Sequence, residues 1–406
     1  MTQAAEALRS LKKATSFHIL SNEFAVIFPD RKALDENFDL MRRELKERLE
    51  HQNEEGASRT GIRYYLFPDS AAASSLEEMV DCHNYYLEHF QDSEITCIDA
   101  AAFAEERSYR EVKESIRRAL DEDRIEVFYQ PIYDLAHGDF RCAEALARIR
   151  QTDGSLMPPG TFIPVAEDCG LIRAIGLRVL EKVCAFLSQG NAAELGIACV
   201  HVNLSAVQLD DPLLAGQISA LLARCLIKPG QINLEITESA KIGKKSTAYD
   251  TLEKLSKFGI PLSLDDFGTQ RSNLDYFIDL PISVVKFDRT FTKSYFTSDK
   301  TKYVMKSVIG MFRNMGLSVV IEGIETKDEF DQIRKLPISC IQGYYFSKPL
   351  PKEDYVRFLK ERNTEKNTET NAESGREGSM VTSAGGSAVD VQGVAVSAMM
   401  SAPRAL

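Results

Sequence analysis

Leu262-Ser263-Leu264-Asp265-Asp266-Phe267-Gly268 places two adjacent carboxylates at the end of an apolar run and just before a glycine. With Ile260 ahead of it, the run reads as a short buried strand that turns at Gly268. Two carboxylates at one strand exit repel each other, so one is pushed toward its neutral form or the pair takes up a cation. Taken by itself, the stretch also reads as an Asp-rich turn capping the next helix. The flanking sequence chooses between the two.

Working outward, strand-like runs occur at 126–135, 140–149, 198–204, 231–237, 260–265, 283–287, 317–322 and 338–346. Helical stretches at 171–188, 213–226, 246–258, 272–279, 299–315 and 326–335 separate most of them, with a last one at 352–362. Strands alternating with helices over about 225 residues predict an α/β fold, a TIM-like (β/α)8 barrel rather than an open sheet. Only Ala136-His137-Gly138-Asp139 joins the first two strands, so they form a hairpin and at least one strand runs antiparallel.

Residues 1–105 read as a separate small α+β unit. It has a short helix at 2–14, a strand from Phe17 to Phe28 and a helix from Ala33 to Glu50. A polar loop at 52–58, a strand Ile62 to Phe67, a helix Leu76 to Phe90 and a strand Ile95 to Ile98 follow. A helix over Ser108 to Asp123 makes 106–125 a linker to the barrel domain, 126–362. Asn363 to Leu406 has no aromatic residue and is rich in small and polar ones, which predicts a disordered tail.

The net charge of −11 argues against a DNA or RNA polymer as partner, because wrapping a phosphate backbone needs a basic face. A small anionic ligand remains compatible, since bound cations reverse the local sign. The eight cysteines form no Cys-x-x-Cys pair and read as reduced thiols of a cytoplasmic protein. Apolar runs are too short for a membrane span, and Met1 to Lys13 lacks the apolar core of a signal peptide.

In such a barrel the strand C-termini converge on one mouth. Those ends carry Glu144-Ala145-Leu146 with Arg148, His201-Val202-Asn203-Leu204-Ser205 and Glu235-Ile236-Thr237-Glu238. Further round come Asp265-Asp266, Lys286-Phe287-Asp288, Glu322-Gly323-Ile324-Glu325 and Gln342-Gly343. Any one is readily a helix cap or a surface charge, but together they form a ring of oxygen donors that would repel itself without metal. Oxygen ligands favour Mg2+ or Mn2+ over softer ions. Two such ions about 3.5–4 Å apart clamp the attacking and leaving oxygens of a phosphoryl centre. Lys286 is suited to orienting a water or balancing phosphate charge, and Arg148 to gripping a phosphate oxygen.

Residues 127–360 resemble the EAL domain, the cyclic-di-GMP phosphodiesterase family. The motifs, in order, are Tyr129-Gln130-Pro131-Ile132, Glu144-Ala145-Leu146, Phe162 to Glu167 and Val202-Asn203-Leu204-Ser205. They continue with Glu235 to Glu238, Asp265 to Thr269, Val285 to Asp288, Glu322 to Glu325 and Gln342-Gly343-Tyr344. The resemblance implies one ion held by Glu144, Asn203, Glu235 and Asp265. A second is implied between Asp265, Asp266 and Glu322, with Asp265 bridging. Lys286 would position the nucleophilic water, and Glu238 would brace the loop after the fifth strand. Gln130, Arg148, Gln342 and Asp288 would lie on the substrate side. The implied reaction is hydrolysis of cyclic di-GMP to linear pGpG, in a dimer formed through this domain.

The chain departs from the family at Gln270-Arg271-Ser272-Asn273, where Gly-Tyr-Ser-Ser is usual, and at Ile149, where Trp is usual. By the resemblance, the first change touches the loop that couples the dimer interface to the metal site, and losing its glycine removes a permissive backbone position. A cyclic-di-GMP-binding signalling module with weak or no turnover therefore stands as the alternative. The N-terminal unit resembles a degenerate GGDEF domain, with Leu20-Ser21-Asn22-Glu23-Phe24 in the place of Gly-Gly-Asp-Glu-Phe. Such a remnant, lacking the first half of the domain, would have no cyclase activity.

Overall fold

The computed structural model describes residues 8, 11, 14–20, 23–50, 63–67, 72–89, 95–188, 191–238, 240, 242–269 and 275–362. Most of the expected helix at 2–14, the loop at 52–58, Ser21 and Asn22, the loop 270–273 and the tail 363–406 lie outside the described residues. The contacts divide the chain into two compact units, Met1–Arg124 with Ile149–Leu171, and Ile125–Arg148 with Ile172–Leu406.

In the first unit, β1 (Thr15–Leu20) and β2 (Glu23–Ile27) pair antiparallel, with Thr15 opposite Ile27. A single strand was expected over 17–28. The apolar run is shared between two strands that pair with each other, which alternation alone does not reveal. Then come α1 (Arg31–Glu50), β3 (Tyr64–Leu66), α2 (Leu76–His89) and β4 (Ile95–Cys97), with β3 and β4 parallel. Helix α3 (Ala100–Asp121) begins well before the expected Ser108, because Asp99 caps it by accepting from the Ala101 and Ala102 amides. Ile98, Ala102 and Phe103 pack with Cys82 and Tyr86 of α2 into one apolar cluster.

The barrel strands are β5 (Ile125–Asp134), β6 (Asp139–Arg150), β8 (Cys199–Asn203), β9 (Ile232–Thr237), β10 (Leu262–Phe267), β11 (Val284–Phe287), β12 (Ser318–Ile321) and β13 (Cys340–Gln342). The order around the sheet is β5-β13-β12-β11-β10-β9-β8-β6, and β6 pairs back to β5, so the barrel closes with eight strands. Strand β5 is antiparallel to β13, while the pairings from β6 through β8 to β13 are parallel. The expected hairpin is thus the one inversion in the barrel. Two short strands, β7 (Leu156–Met157) and β14 (Leu350–Pro351), extend β6 and β5 at the margins.

The helices are α4 (Pro159–Asp168), α5 (Ile172–Ser188), α6 (Asn191–Glu194), α7 (Ala206–Leu209), α8 (Leu214–Arg224), α9 (Thr247–Lys257), α10 (Asp275–Asp279), α11 (Arg289–Thr297), α12 (Asp299–Asn314), α13 (Lys327–Ile333) and α14 (352–362). Helix α4 was not expected, because Pro158, Pro159 and Pro164 look like breakers. Pro159 instead occupies the first helical position, where its missing N–H costs nothing. Alternation along each strand does the sorting. In β9, Ile232, Leu234 and Ile236 are buried on one face, while Asn233 and Glu235 share the other. Each fully buried Ile or Leu contributes on the order of 1.5–3 kcal/mol to holding sheet and helices together.

Candidate active site

Register brings the polar inner faces into layers. Glu144 of β6 lies opposite His201 of β8, and Asn203 opposite Glu235 of β9, which in turn lies opposite Ser263 of β10. In register on parallel strands, such partners point to the same side. Lys286 of β11 reaches the middle of this ring and is fully buried. Its Nζ is 2.9 Å from Glu235 Oε1, 3.0 Å from Glu235 Oε2 and 2.7 Å from Glu322 Oε1. Asp265 Oδ1 is 3.3 Å away and Glu144 Oε2 3.5 Å away. Asn203 donates to Glu144 Oε1 at 3.0 Å. Gln342 Nε2 donates to Glu144 Oε2 at 2.7 Å and to Gln130 Oε1 at 3.1 Å, and Gln130 donates to the Ser347 carbonyl at 3.3 Å.

The Asp265-Asp266 pair solves a problem of alternation. In a regular strand, consecutive side chains point to opposite faces. Here the β10–β11 register shifts between Leu264 and Phe267, and Asp266 adopts φ 58°. A bulge with a left-handed residue re-aims the chain. Asp tolerates that conformation better than most residues do. Gly268 follows with φ 97°, and a side-chain carbon there would meet the Phe291 ring at 2.8 Å. The Gly268 amide donates to Glu238 Oε2 at 3.2 Å, and the Glu238 amide donates to the Asp265 carbonyl at 3.1 Å. The exit of β10 is therefore tied to the exit of β9.

Four buried or largely buried carboxylates around one ammonium leave the cluster negative, and the groups respond in different directions. Burial, reinforced by Glu322 and Glu235, pushes Asp265 well above the ordinary carboxylate range. Burial and Glu144 push Glu322 up to about 7. Burial and Asp288 raise Asp266. Burial also works to raise Glu235, but Lys286 and His201 together hold it below its ordinary value. For Lys286 burial works downward, and the surrounding carboxylates outweigh it and hold the ammonium charged.

Glu144, Glu235 and Asp265 each offer a carboxylate oxygen, all within 4.8 Å of one another. Asp265 Oδ1 and Glu322 Oε1 are buried and accept no hydrogen bond, although both lie at ion-pair distance from Lys286. An all-oxygen donor set with unused buried lone pairs fits a hard divalent cation. At the edge of the cluster, Arg148 lies over the Phe128 ring at 5.6 Å, with its Nη1 donating to the Ala147 carbonyl at 2.8 Å. Burial draws the Arg148 guanidinium below the ordinary arginine range. Asp288 caps α11, accepting from the Thr290 amide at 2.6 Å. Glu325 turns away from the ring and pairs with Arg289 at 2.8 Å and Lys293 at 3.4 Å.

A family model for the EAL domain matches residues 113–349. The chain belongs to the EAL-domain family. Over 255 residues it is 34% identical to the cyclic di-GMP phosphodiesterase NbdA of Pseudomonas aeruginosa, covering 62% of this chain and 32% of that one. The cyclic di-GMP phosphodiesterase RocR of the same organism is 31% identical over 242 residues, covering 59% of this chain and 61% of RocR. The solved MucR phosphodiesterase in complex with c-di-GMP superposes with a TM-score of 0.57 at 31% identity, covering 60% of this chain and 99% of that one. This chain spans about a third of the length of most of the curated relatives it matches.

In the EAL barrel, then, Glu144, Asn203, Glu235, Asp265, Lys286, Glu322, Gln342 and Gln130 form one connected network of contacts, while Asp266, Asp288, Glu238 and Arg148 sit around it. Sequence reasoning assigned no role to His201. Its Nδ1 is 2.7 Å from Glu235 Oε1 and the ring is buried, so it fixes the orientation of that carboxylate. Burial works to lower His201, but Cys142 and Glu235 outweigh it and raise it to about 9. The signal was present in the alternation Cys199-His201-Asn203, which puts the histidine on the same face as the asparagine.

Proposed function

We propose that this barrel hydrolyses one phosphodiester bond of cyclic di-GMP to give linear pGpG. The observation that carries the reading is the convergence of Glu144, Glu235, Asp265 and Glu322 on Lys286 at one point inside the barrel. The names of NbdA and RocR support it. Glu144, Asn203, Glu235 and Asp265 would hold one divalent cation, and Asp265, Asp266 and Glu322 a second. Mg2+ or Mn2+ bound there would supply positive charge against the charge that builds on the phosphoryl oxygens. Lys286 holds the attacking water, with Glu322 beside its ammonium. Arg148, Gln130, Gln342 and Asp288 grip the dinucleotide, and Glu238 keeps the β10 exit in place. In the hydrolysis, the water oxygen bonds to phosphorus, the bond from phosphorus to the 3′ oxygen breaks, and that oxygen leaves with a proton.

The proposed organisation is a barrel domain over 126–362, joined through 106–125 to a degenerate GGDEF-like unit over 1–105 without cyclase activity. It would act in the cytoplasm as a homodimer. Among the described residues, no helix is long and apolar enough to cross a membrane. The test is to incubate the purified chain with cyclic di-GMP and Mg2+ or Mn2+ and separate the nucleotides by chromatography. Accumulation of pGpG is expected. Tight binding of cyclic di-GMP without pGpG under either ion would replace the enzyme with a receptor.

A further inference from the structure

One layer beneath the carboxylates, the inner face of the barrel carries sulfur. Glu144, His201 and Gln342 point inward, and the residues two positions before them on the same strands are Cys142, Cys199 and Cys340. Period-two alternation puts these three on the same inner face. Cys142 and Cys199 are direct partners in the parallel β6–β8 register. Cys340 belongs to β13, which is separated from β6 by β5.

Strand spacing then decides which pair can bond. Adjacent strands lie about 4.8 Å apart, inside the window of about 4.4–6.8 Å between α-carbons that a disulfide spans. Two strand spacings, about 9.6 Å, exceed it, so Cys340 is out of reach of Cys142. The three thiols and His201 do not gather closely enough for a soft-metal site, since the one group of candidate ligand atoms within 4.8 Å of one another among the described residues is Glu144, Glu235 and Asp265. Cys142 and Cys199 are both partly exposed, unlike the buried Cys82 and Cys184.

We infer that Cys142 and Cys199 are a reversible disulfide site, closed by hydroperoxide and opened by a dithiol reductant, that staples β6 to β8 beneath Glu144 and His201. One sulfur attacks the peroxide O–O bond, giving a sulfenic acid and releasing water. The neighbouring thiol then attacks that sulfur, forming the S–S bond and releasing a second water. The two sulfurs together lose two electrons, and the peroxide gains them. Both cysteines are free thiols in this structure. The bond fixes the spacing of the two strands that carry Glu144, Asn203 and the His201 that orients Glu235. Its formation requires neither metal nor substrate, so it is tested independently of turnover.

The experiment treats the intact chain with hydrogen peroxide and digests it with trypsin and a glutamyl endopeptidase. The second enzyme cuts at Glu194 and so separates Cys199 from Cys184. Mass spectrometry is expected to find a Cys142–Cys199 cross-linked peptide, with both of these thiols restored by dithiothreitol. Cys199→Ser should leave Cys142 as a sulfenic acid that a dimedone label captures. The exposed Cys97 reports that oxidant reached the protein. Oxidised Cys97 with Cys142 and Cys199 still reduced, separate sulfinic acids at the two positions, or a link from Cys142 to Cys340 would each overturn the inference. Because the cross-link is read on the native chain, a variant that fails to fold does not remove the test.

Discussion

Glu322 shows how one group can make the apo barrel sensitive to pH. Its folded value is up to about 7, against an ordinary 4.5, because burial and Glu144 disfavour its charge. Between those values the folded chain holds a proton that the unfolded chain has released. The stability this contributes is fully present below 4.5 and is lost as pH rises through 7. At about 1.4 kcal/mol per unit, the loss is on the order of 3 kcal/mol. Asp265, raised for the same reason, acts in the same direction, while Glu235, held low, loses its contribution only in stronger acid. Chelator-treated protein should therefore melt at a lower temperature at about pH 8 than at about pH 5. Mn2+ should raise the melting temperature more at the higher pH, where no proton has to be displaced from the ligands. Differential scanning calorimetry at both values, with and without metal, checks this. A melting temperature of the apo chain that rises from the lower to the higher pH would show that Glu322 is charged in the folded state throughout.

At the scale of elements, what could be read from the sequence follows from what alternation encodes. The barrel strands were placed to within about three residues at most ends, because apolar and polar positions alternate under helices on the outside and a polar layer inside. The β5–β6 hairpin was legible in its four-residue connection. The bulge at Asp265-Asp266 was not, since it depends on how β10 registers against β11, a relation between strands far apart in sequence. His201 was passed over for the same kind of reason, because its partner Glu235 lies on another strand. A related stitch joins β13 to the loop after β12. The Ile324 amide donates to the Gln342 carbonyl at 3.3 Å, and the Tyr345 amide to the Ile324 carbonyl at 3.0 Å. Gly343 sits inside it, where an added side-chain carbon would lie 2.7 Å from the Ile324 carbonyl carbon. That atom is backbone and cannot swing aside, so Gly343→Ala must separate Gln342 from the loop that carries Glu322. The expected cost is about 2 kcal/mol or more in urea denaturation. Calorimetric titration should also show weaker Mn2+ binding, because Glu322 and the Gln342 that holds Glu144 move apart. Unchanged stability and affinity would mean that the loop relaxes without disturbing the site.

For the molecule as a whole, the net charge of −11 sets the long-range field against an anionic dinucleotide, while the cations proposed for the site would offset the negative charge of its carboxylates. The two effects act over different distances. Contacts from Arg148 and the proposed cations would act within a few ångströms and be poorly screened, whereas repulsion by the rest of the surface acts over tens of ångströms and is screened by salt. The Debye length falls from about 20 Å near 20 mM salt to about 7 Å near 200 mM. With divalent cation saturating throughout, kcat/KM for cyclic di-GMP should therefore rise over that range, by less than about tenfold, with kcat little changed. A protein that captured its ligand on a basic face would show the opposite slope, losing association rate as salt screened the attraction. Steady-state kinetics in a potassium chloride series separates the two. A fall in kcat/KM with unchanged kcat would mean that the field at the mouth is already positive at the distance where the substrate is first steered, and that the acidic surface faces elsewhere.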